Sequence, residues 1–281
     1  DRGFLYGDSI YEVFRTYQGV PFLYEEHMSR LGNSARLAYM QVSQSDAFLL
    51  EEMKRTVASG QVKRGEEIYV RLTLTRGSGP IDLNPTRDFK TSYVIVAKDI
   101  PRWEPRLYDE GVRLAIPEVR RNPTLALDPN IKGGNYLNNI LAVGEAIRSG
   151  ADDALICNME GLLSECSNSN ILFVVDGKVV TPDLASGNLN GTTKNLVGRL
   201  AREAGVDFEH MPLRLEDMRE ASEAFIASAT RELMPVASIR LQDGRTLNYP
   251  AGGGRTTKQL IGLYANFVKD YVKDRQATAL F

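Results

Sequence analysis

Between Ser9 and Tyr17 the side chains alternate. Ile10, Glu12, Phe14 and Thr16 fall on one face of an extended strand, and Tyr11, Val13, Arg15 and Tyr17 on the other. Gln18-Gly19 reads as a hairpin turn into Val20-Pro21-Phe22-Leu23. Over residues 25–39 the period changes to that of a helix, with Met28, Leu31, Ala35 and Ala38 near one stripe. Gly65 precedes a second alternating strand, in which Ile68, Val70, Leu72 and Leu74 interleave with Tyr69, Arg71, Thr73 and Thr75. Residues 92–97 and 112–116 predict further strands. The pattern lapses over residues 120–129, where Asn122-Pro123 and Asp128-Pro129 break regular structure. Beyond it come a helix over 136–148 closed by Gly150, a strand over 154–157, and a hairpin over 170–181 about Asp176-Gly177. A helix over 192–204 opens from Gly191, strands follow over 224–229 and 233–239, and a terminal helix covers 257–273.

A chain of 281 residues exceeds the usual single domain. The strand-rich first part suits an α+β domain, so the expected division is 1–119, a connection over 120–129, and a larger domain over 130–281. Strands and helices mix irregularly instead of repeating as βαβ units, which argues against a Rossmann or TIM fold. The formal net charge of -2 gives no electrostatic reason to expect nucleic acid or an anionic membrane as partner. No run approaches the ~18 apolar residues of a membrane span, and no signal-peptide pattern is visible. Two cysteines outside any CxxC pair and two histidines make a disulfide framework or a metal site unexpected. A reducing compartment, the cytoplasm, is the expected location.

The candidate chemistry begins at Asn130-Ile131-Lys132-Gly133-Gly134. A lysine beside two glycines lets the backbone approach a planar ligand, and partial burial would make its amine nucleophilic toward an aldehyde. A solvated loop lysine is the ordinary alternative. Gly191-Thr192-Thr193 opens a helix whose N–H groups and dipole suit a phosphate, or it is a plain threonine start. Ser228-Ala229-Thr230 ends a strand with small, hydroxyl-bearing residues. Arg30, within the first helix, can clamp a phosphate or face solvent. Glu165 sits at a strand–turn junction, and if buried it would need a cationic partner.

Taken in order, these segments resemble the fold-type IV enzymes dependent on pyridoxal phosphate. The resemblance runs from Asp1-Arg2-Gly3-Phe4-Leu5-Tyr6-Gly7-Asp8 through Tyr11-Glu12-Val13, Glu26-His27-Met28-Ser29-Arg30-Leu31, Tyr69-Val70-Arg71 and the Lys132 stretch. It continues through Leu163-Ser164-Glu165, Asn168-Ser169-Asn170 and Leu189-Asn190-Gly191-Thr192-Thr193 to Ala229-Thr230-Arg231-Glu232. It implies that Lys132 holds the cofactor as a Schiff base and then acts as the acid/base at the substrate Cα. It also implies that Glu165 keeps the pyridine nitrogen protonated, and that Arg30, Thr192, Thr193 and Thr230 bind the phosphate. Tyr136 would bond the ring oxygen, and Leu189 would pack on the ring face. The implied fold is a two-domain α+β enzyme, a small N-terminal α+β domain and a larger C-terminal α/β domain with the cofactor between them, assembled as a homodimer.

For substrate, Tyr69-x-Arg71 looks like the branched-chain aminotransferase branch, whose arginine accepts the distal carboxylate of glutamate or 2-oxoglutarate. Tyr6, Tyr11 and Arg15 fall at that branch's pocket positions. Val13 departs from it, since that branch usually has glycine there, and Glu12-Val13 looks more like the D-amino acid branch. Arg76 is a candidate substrate contact, but Gly77-Ser78 follow it, so that branch's Arg-x-His carboxylate trap is absent. The first reading is thus a ping-pong aminotransferase acting on an L-branched-chain amino acid and a 2-oxo acid. D-amino acid or (R)-amine aminotransferase and aminodeoxychorismate lyase are readings on the same scaffold, and a non-catalytic binding protein is a third class.

Overall fold

The computed structural model describes residues 1–60 and 67–281, which group into two compact units. The first comprises Asp1–Pro101, Asn130–Asn135 and Phe267–Phe281; the second comprises Arg102–Pro129 and Tyr136–Asn266. Gly65, expected to lead into a strand, lies outside the described residues.

In the first unit, α1 (Arg2–Tyr6) leads into β1 (Ser9–Tyr17), β2 (Val20–Pro21), α2 (Tyr24–Leu37), α3 (Asp46–Ser59), β3 (Ile68–Thr75) and β4 (Ser92–Asp99). The described strands form an antiparallel sheet in the order β2-β1-β3-β4. Alternation does what it predicted: Ile10 and Phe14 of β1 and Ile68, Val70, Leu72 and Leu74 of β3 enter one core. Helix α2 covers it with Met28, Leu31 and Ala35. Helix α3, which the periodicity reading passed over, adds Leu49, Met53 and Val57 at four-residue spacing, with Ser45 capping through Phe48 N.

The second unit holds α4 (Arg106–Asp109), β5 (Val112–Ala115), α5 (Leu137–Arg148), β6 (Asp153–Cys157), β7 (Leu163–Cys166), β8 (Asn170–Val175), β9 (Lys178–Pro182) and α6 (Thr192–Glu203). It continues with β10 (Phe208–Met211), β11 (Ala221–Ser228), β12 (Glu232–Arg240) and β13 (Thr246–Asn248); α7 (Arg255–Asp274) starts in it and runs on into the residues of the first. The strands make one mixed sheet, β10-β9-β8-β11-β12-β5-β6-β7, with β13 on β12. Its apolar core includes Leu155, Ile171, Phe173, Ile226 and Met234.

The division differs from the expected 1–119, 120–129 and 130–281 in two respects. Strand β5 pairs in parallel with β12 and β6, so it belongs to the second unit; a parallel partner so far along the chain leaves no local signal. The segment bearing Lys132 belongs to the first unit instead of the larger one. Strand β2 pairs only with Thr16 and Tyr17, so the start of β1 has an open edge, and Lys132 O and Gly134 N bond there to Tyr11 N and Ser9 O.

Candidate active site

In the first unit, Glu12 is a carboxylate on the core face of β1 and is fully buried. A buried charge must be matched. Arg30 meets it from α2 in two-point fashion, Nε to Oε1 and Nη2 to Oε2, both at 2.7 Å. His27 Nδ1, one turn earlier, lies 2.7 Å from Oε2. Burial alone would raise the Glu12 carboxyl, but Arg30 and His27 outweigh it and hold it far below the usual carboxylate range. Burial pushes His27 down, against the pull of Glu12.

Lys132 is fixed through its backbone: its N–H donates to Ser34 Oγ at 3.1 Å, and its carbonyl accepts from Tyr11 N at 2.9 Å. The neighbouring glycines are closely surrounded. A Cβ on Gly134 would sit 2.4 Å from Ser9 Oγ, and one on Gly133 2.8 Å from Asn135 Oδ1. The Lys132 Nζ stands 4.6 Å from the Tyr11 ring centroid, and the Arg71 guanidinium stands 3.6 Å from the same ring. Arg71 Nε donates to Thr73 Oγ1, and Arg71 has no acidic partner among the described residues.

Register puts Tyr11, Val13 and Arg15 opposite Thr73, Arg71 and Tyr69, so the candidate substrate residues of both strands share one face. That face continues into Val94 and Val96 of β4, both exposed. Not every candidate is available on it. Arg15 is engaged by Glu67, Nε to Oε2 at 2.7 Å, and lies over Tyr17. Arg76 is anchored: its Nε bonds Asp8 and its terminal nitrogens bond the carbonyls of Ala38 and Tyr39. Tyr6 is partly exposed with the Arg2 guanidinium over its ring.

In the second unit, Glu165 on β7 is buried, and the cation it needs is Arg121, Nη2 to Oε1 at 2.7 Å. Its other oxygen accepts from Leu189 N at 3.0 Å and Asn170 Nδ2 at 3.4 Å. Arg121 is itself aimed by bonds to Gly187 O and Asn139 Oδ1. Gly191, at the N-cap of α6, has no side chain to close the helix end, and a Cβ there would lie 1.9 Å from Asn170 Oδ1. Thr192 and Thr193 follow, both buried, with Leu189 half-buried beside them in sequence. Thr230 lies in the turn between β11 and β12; that turn is held by Arg231, which ion-pairs with buried Asp153 at 2.9 Å and stacks over Trp103. Tyr136 is the N-cap residue of α5.

Glu12, His27, Arg121 and Asn170 were given no role on sequence grounds. Glu12 carried a signal, a charge at a core position of an alternating strand. Arg121 carried none, because it lies in the irregular stretch and its partner is distant in sequence. Among the described residues no group of three His, Cys, Asp or Glu is placed to hold a metal ion, and no helix is long and apolar enough to cross a membrane.

Residues 9–239 match the family model of amino-transferase class IV. The chain is 34% identical over 258 residues to a putative branched-chain-amino-acid aminotransferase of Methanocaldococcus jannaschii, covering 92% of this chain and 86% of that protein. It is 33% identical over 251 residues to the D-alanine aminotransferase of Listeria monocytogenes, covering 87% and 84%. Its fold matches the crystal structure of the branched-chain amino acid aminotransferase of Thermobaculum terrenum in its PLP form, with a TM-score of 0.83 and 28% identity over 95% of this chain and 87% of that one.

Proposed function

The chain belongs to the class IV aminotransferases, which depend on pyridoxal phosphate, and from that premise we propose that it moves the amino group of an L-branched-chain amino acid to 2-oxoglutarate in a ping-pong cycle. Its residues fit the cofactor. The second unit offers a buried carboxylate whose counter-cation is already in place, and an uncapped helix start with two threonines. The first offers a lysine whose backbone is pinned and whose amine stands over an aromatic ring. When bound, pyridoxal phosphate supplies the electron sink for cleavage at Cα.

The protein's own residues do the rest. Lys132 Nζ is the covalent anchor and afterwards carries the proton at the substrate Cα. Glu165, oriented by Arg121 and Leu189 N, holds the ring nitrogen. Tyr136 and Leu189 position the ring, while Arg30, Thr192, Thr193 and Thr230 take the phosphate.

The observation that carries the substrate assignment is Arg71. It is a guanidinium without an acidic partner among the described residues, on a sheet face shared with Tyr69, Val13, Val94 and Val96. Such a face suits a distal carboxylate in one half-reaction and a branched aliphatic chain in the other. Val13, opposite Arg71, favours a second reading in which D-amino acids are the donors. Incubation with L-leucine and 2-oxoglutarate is expected to yield glutamate; consumption of D-alanine with no reaction of L-leucine, L-isoleucine or L-valine would overturn the first reading in favour of the second.

A homodimer in the cytoplasm belongs to the same reading. Leu137, Ile140, Leu141 and Ile147 lie exposed along one stripe of α5, whose Ala142 and Ala146 are buried. An apolar stripe of this kind marks an interface. Light scattering behind size exclusion should give twice the chain mass, and a monomer at micromolar concentration would refute the dimer.

A further inference from the structure

Lys194 is the third residue of α6 and is fully buried. Its Nζ has no hydrogen-bond partner among the described residues. Burying an unpartnered ammonium is costly, and the first turn of a helix is the end where the macrodipole disfavours a cation. No acidic residue of that turn offsets the charge.

The surrounding elements do not balance it either. Glu165 of β7 is the carboxylate that acts on Lys194, but it is already bound by Arg121. On β10, His210 is pushed down by burial, by Lys194 and by Arg202, with Asp183 opposing. Asp183 Oδ1 is occupied by the N–H and hydroxyl of Ser186. Neither carboxylate therefore bonds the ammonium directly, and its hydrogen-bonding capacity is left for a bound anion. A helical Cβ tilts toward the N-terminus, and that of Lys194 lies 3.6 Å from the point where a Cβ on Gly191 would sit. Its stem thus starts against the N-cap assigned to the cofactor's phosphate.

We propose that Lys194 is a further residue of the cofactor's phosphate subsite, supplying from beneath the start of α6 the buried positive charge that holds the dianion. The proposal rests on the assignment of Gly191-Thr192-Thr193 to that phosphate. It accounts for a lysine at a position where burial and the helix dipole both oppose one. Burial pushes the ammonium down to about 8, with Glu165 opposing. The protonated form is the one that attracts phosphate, so cofactor affinity should be full below that value and fall as pH rises through it.

The test titrates apoprotein, prepared from holoenzyme, with pyridoxal phosphate and with pyridoxal, which lacks the phosphate, between about pH 6.5 and 9.5. At about pH 7, K194M should bind pyridoxal phosphate about tenfold more weakly and pyridoxal unchanged. K194R should keep the wild-type affinity and lose the decline above about pH 8, because arginine does not titrate there. Removing an unpaired buried charge leaves the thermal midpoint of the apoprotein unchanged or higher, which separates weak binding from unfolding. Wild-type affinity in K194M, or equal losses for the two ligands, would overturn the proposal. If K194M does not fold, K194R decides by whether its affinity still declines. The control is T193V: if it too leaves pyridoxal phosphate binding intact, the phosphate assignment itself fails, independently of Lys194.

Discussion

Replacing Lys132 with alanine is expected to abolish the visible absorption band that appears on adding pyridoxal phosphate, and to lower turnover by at least about a hundredfold to ten-thousandfold. The size of the effect follows from the two duties proposed for one amine, covalent anchoring and proton transfer. Arg71 stands at the same Tyr11 ring, but a guanidinium remains charged and cannot act as a base. The fold should survive, since the bonds that seat this segment run from Lys132 N to Ser34 and from Lys132 O to Tyr11. Unchanged circular dichroism with no band is the expected pair of results; a retained band or retained turnover would disprove the role of Lys132.

Glu12→Gln is expected to have the largest effect on stability. The substitution keeps the shape of the side chain but strips the charge that Arg30 and His27 share, leaving a largely buried guanidinium uncompensated. Breaking a buried pair in this way costs about 3–5 kcal/mol. Urea denaturation should show a lower midpoint with an unchanged slope; a loss under about 1 kcal/mol would refute the argument. The pH dependence has a definite sign. The carboxyl of Glu12 lies lower in the folded protein than in the unfolded chain, so its contribution is present above the ordinary carboxylate range and is lost as pH falls through the folded value. The wild type should therefore lose this stabilisation progressively as pH falls below the ordinary carboxylate range, and Glu12→Gln should lack that part of its acid transition.

The parts legible in the sequence were those set by neighbours along the chain. Strand β3 appears with its expected bounds because four apolar residues alternate without interruption. The hairpin about Asp176-Gly177 appears because both residues adopt positive φ, as a tight two-residue turn demands. Helix α3 is equally local in its signal, with its Ser45 cap and its Leu49, Met53 and Val57 stripe, and stands outside the expected elements. The chemistry split along the same line. Lys132, Glu165 and the threonines of α6 carry motif-like surroundings, whereas Arg121 acquires its meaning only when β7 brings Glu165 to it. Arg15 and Arg76 show partners that the sequence does not reveal: Glu67 and Asp8, distant along the chain, bond their guanidinium groups.

The seating of Lys132 on the edge of β1 has a mechanical consequence. Its amide and carbonyl are both committed to the first unit, so the peptide unit is a fixed pivot and all motion of the amine is in four side-chain torsions. Such torsions turn over in picoseconds to nanoseconds, far faster than any loop rearrangement. In the proposed role of Lys132, its Nζ moves between anchoring and proton transfer without breaking a backbone hydrogen bond. Turnover would then rotate side-chain torsions of Lys132 and leave the edge of β1 in place.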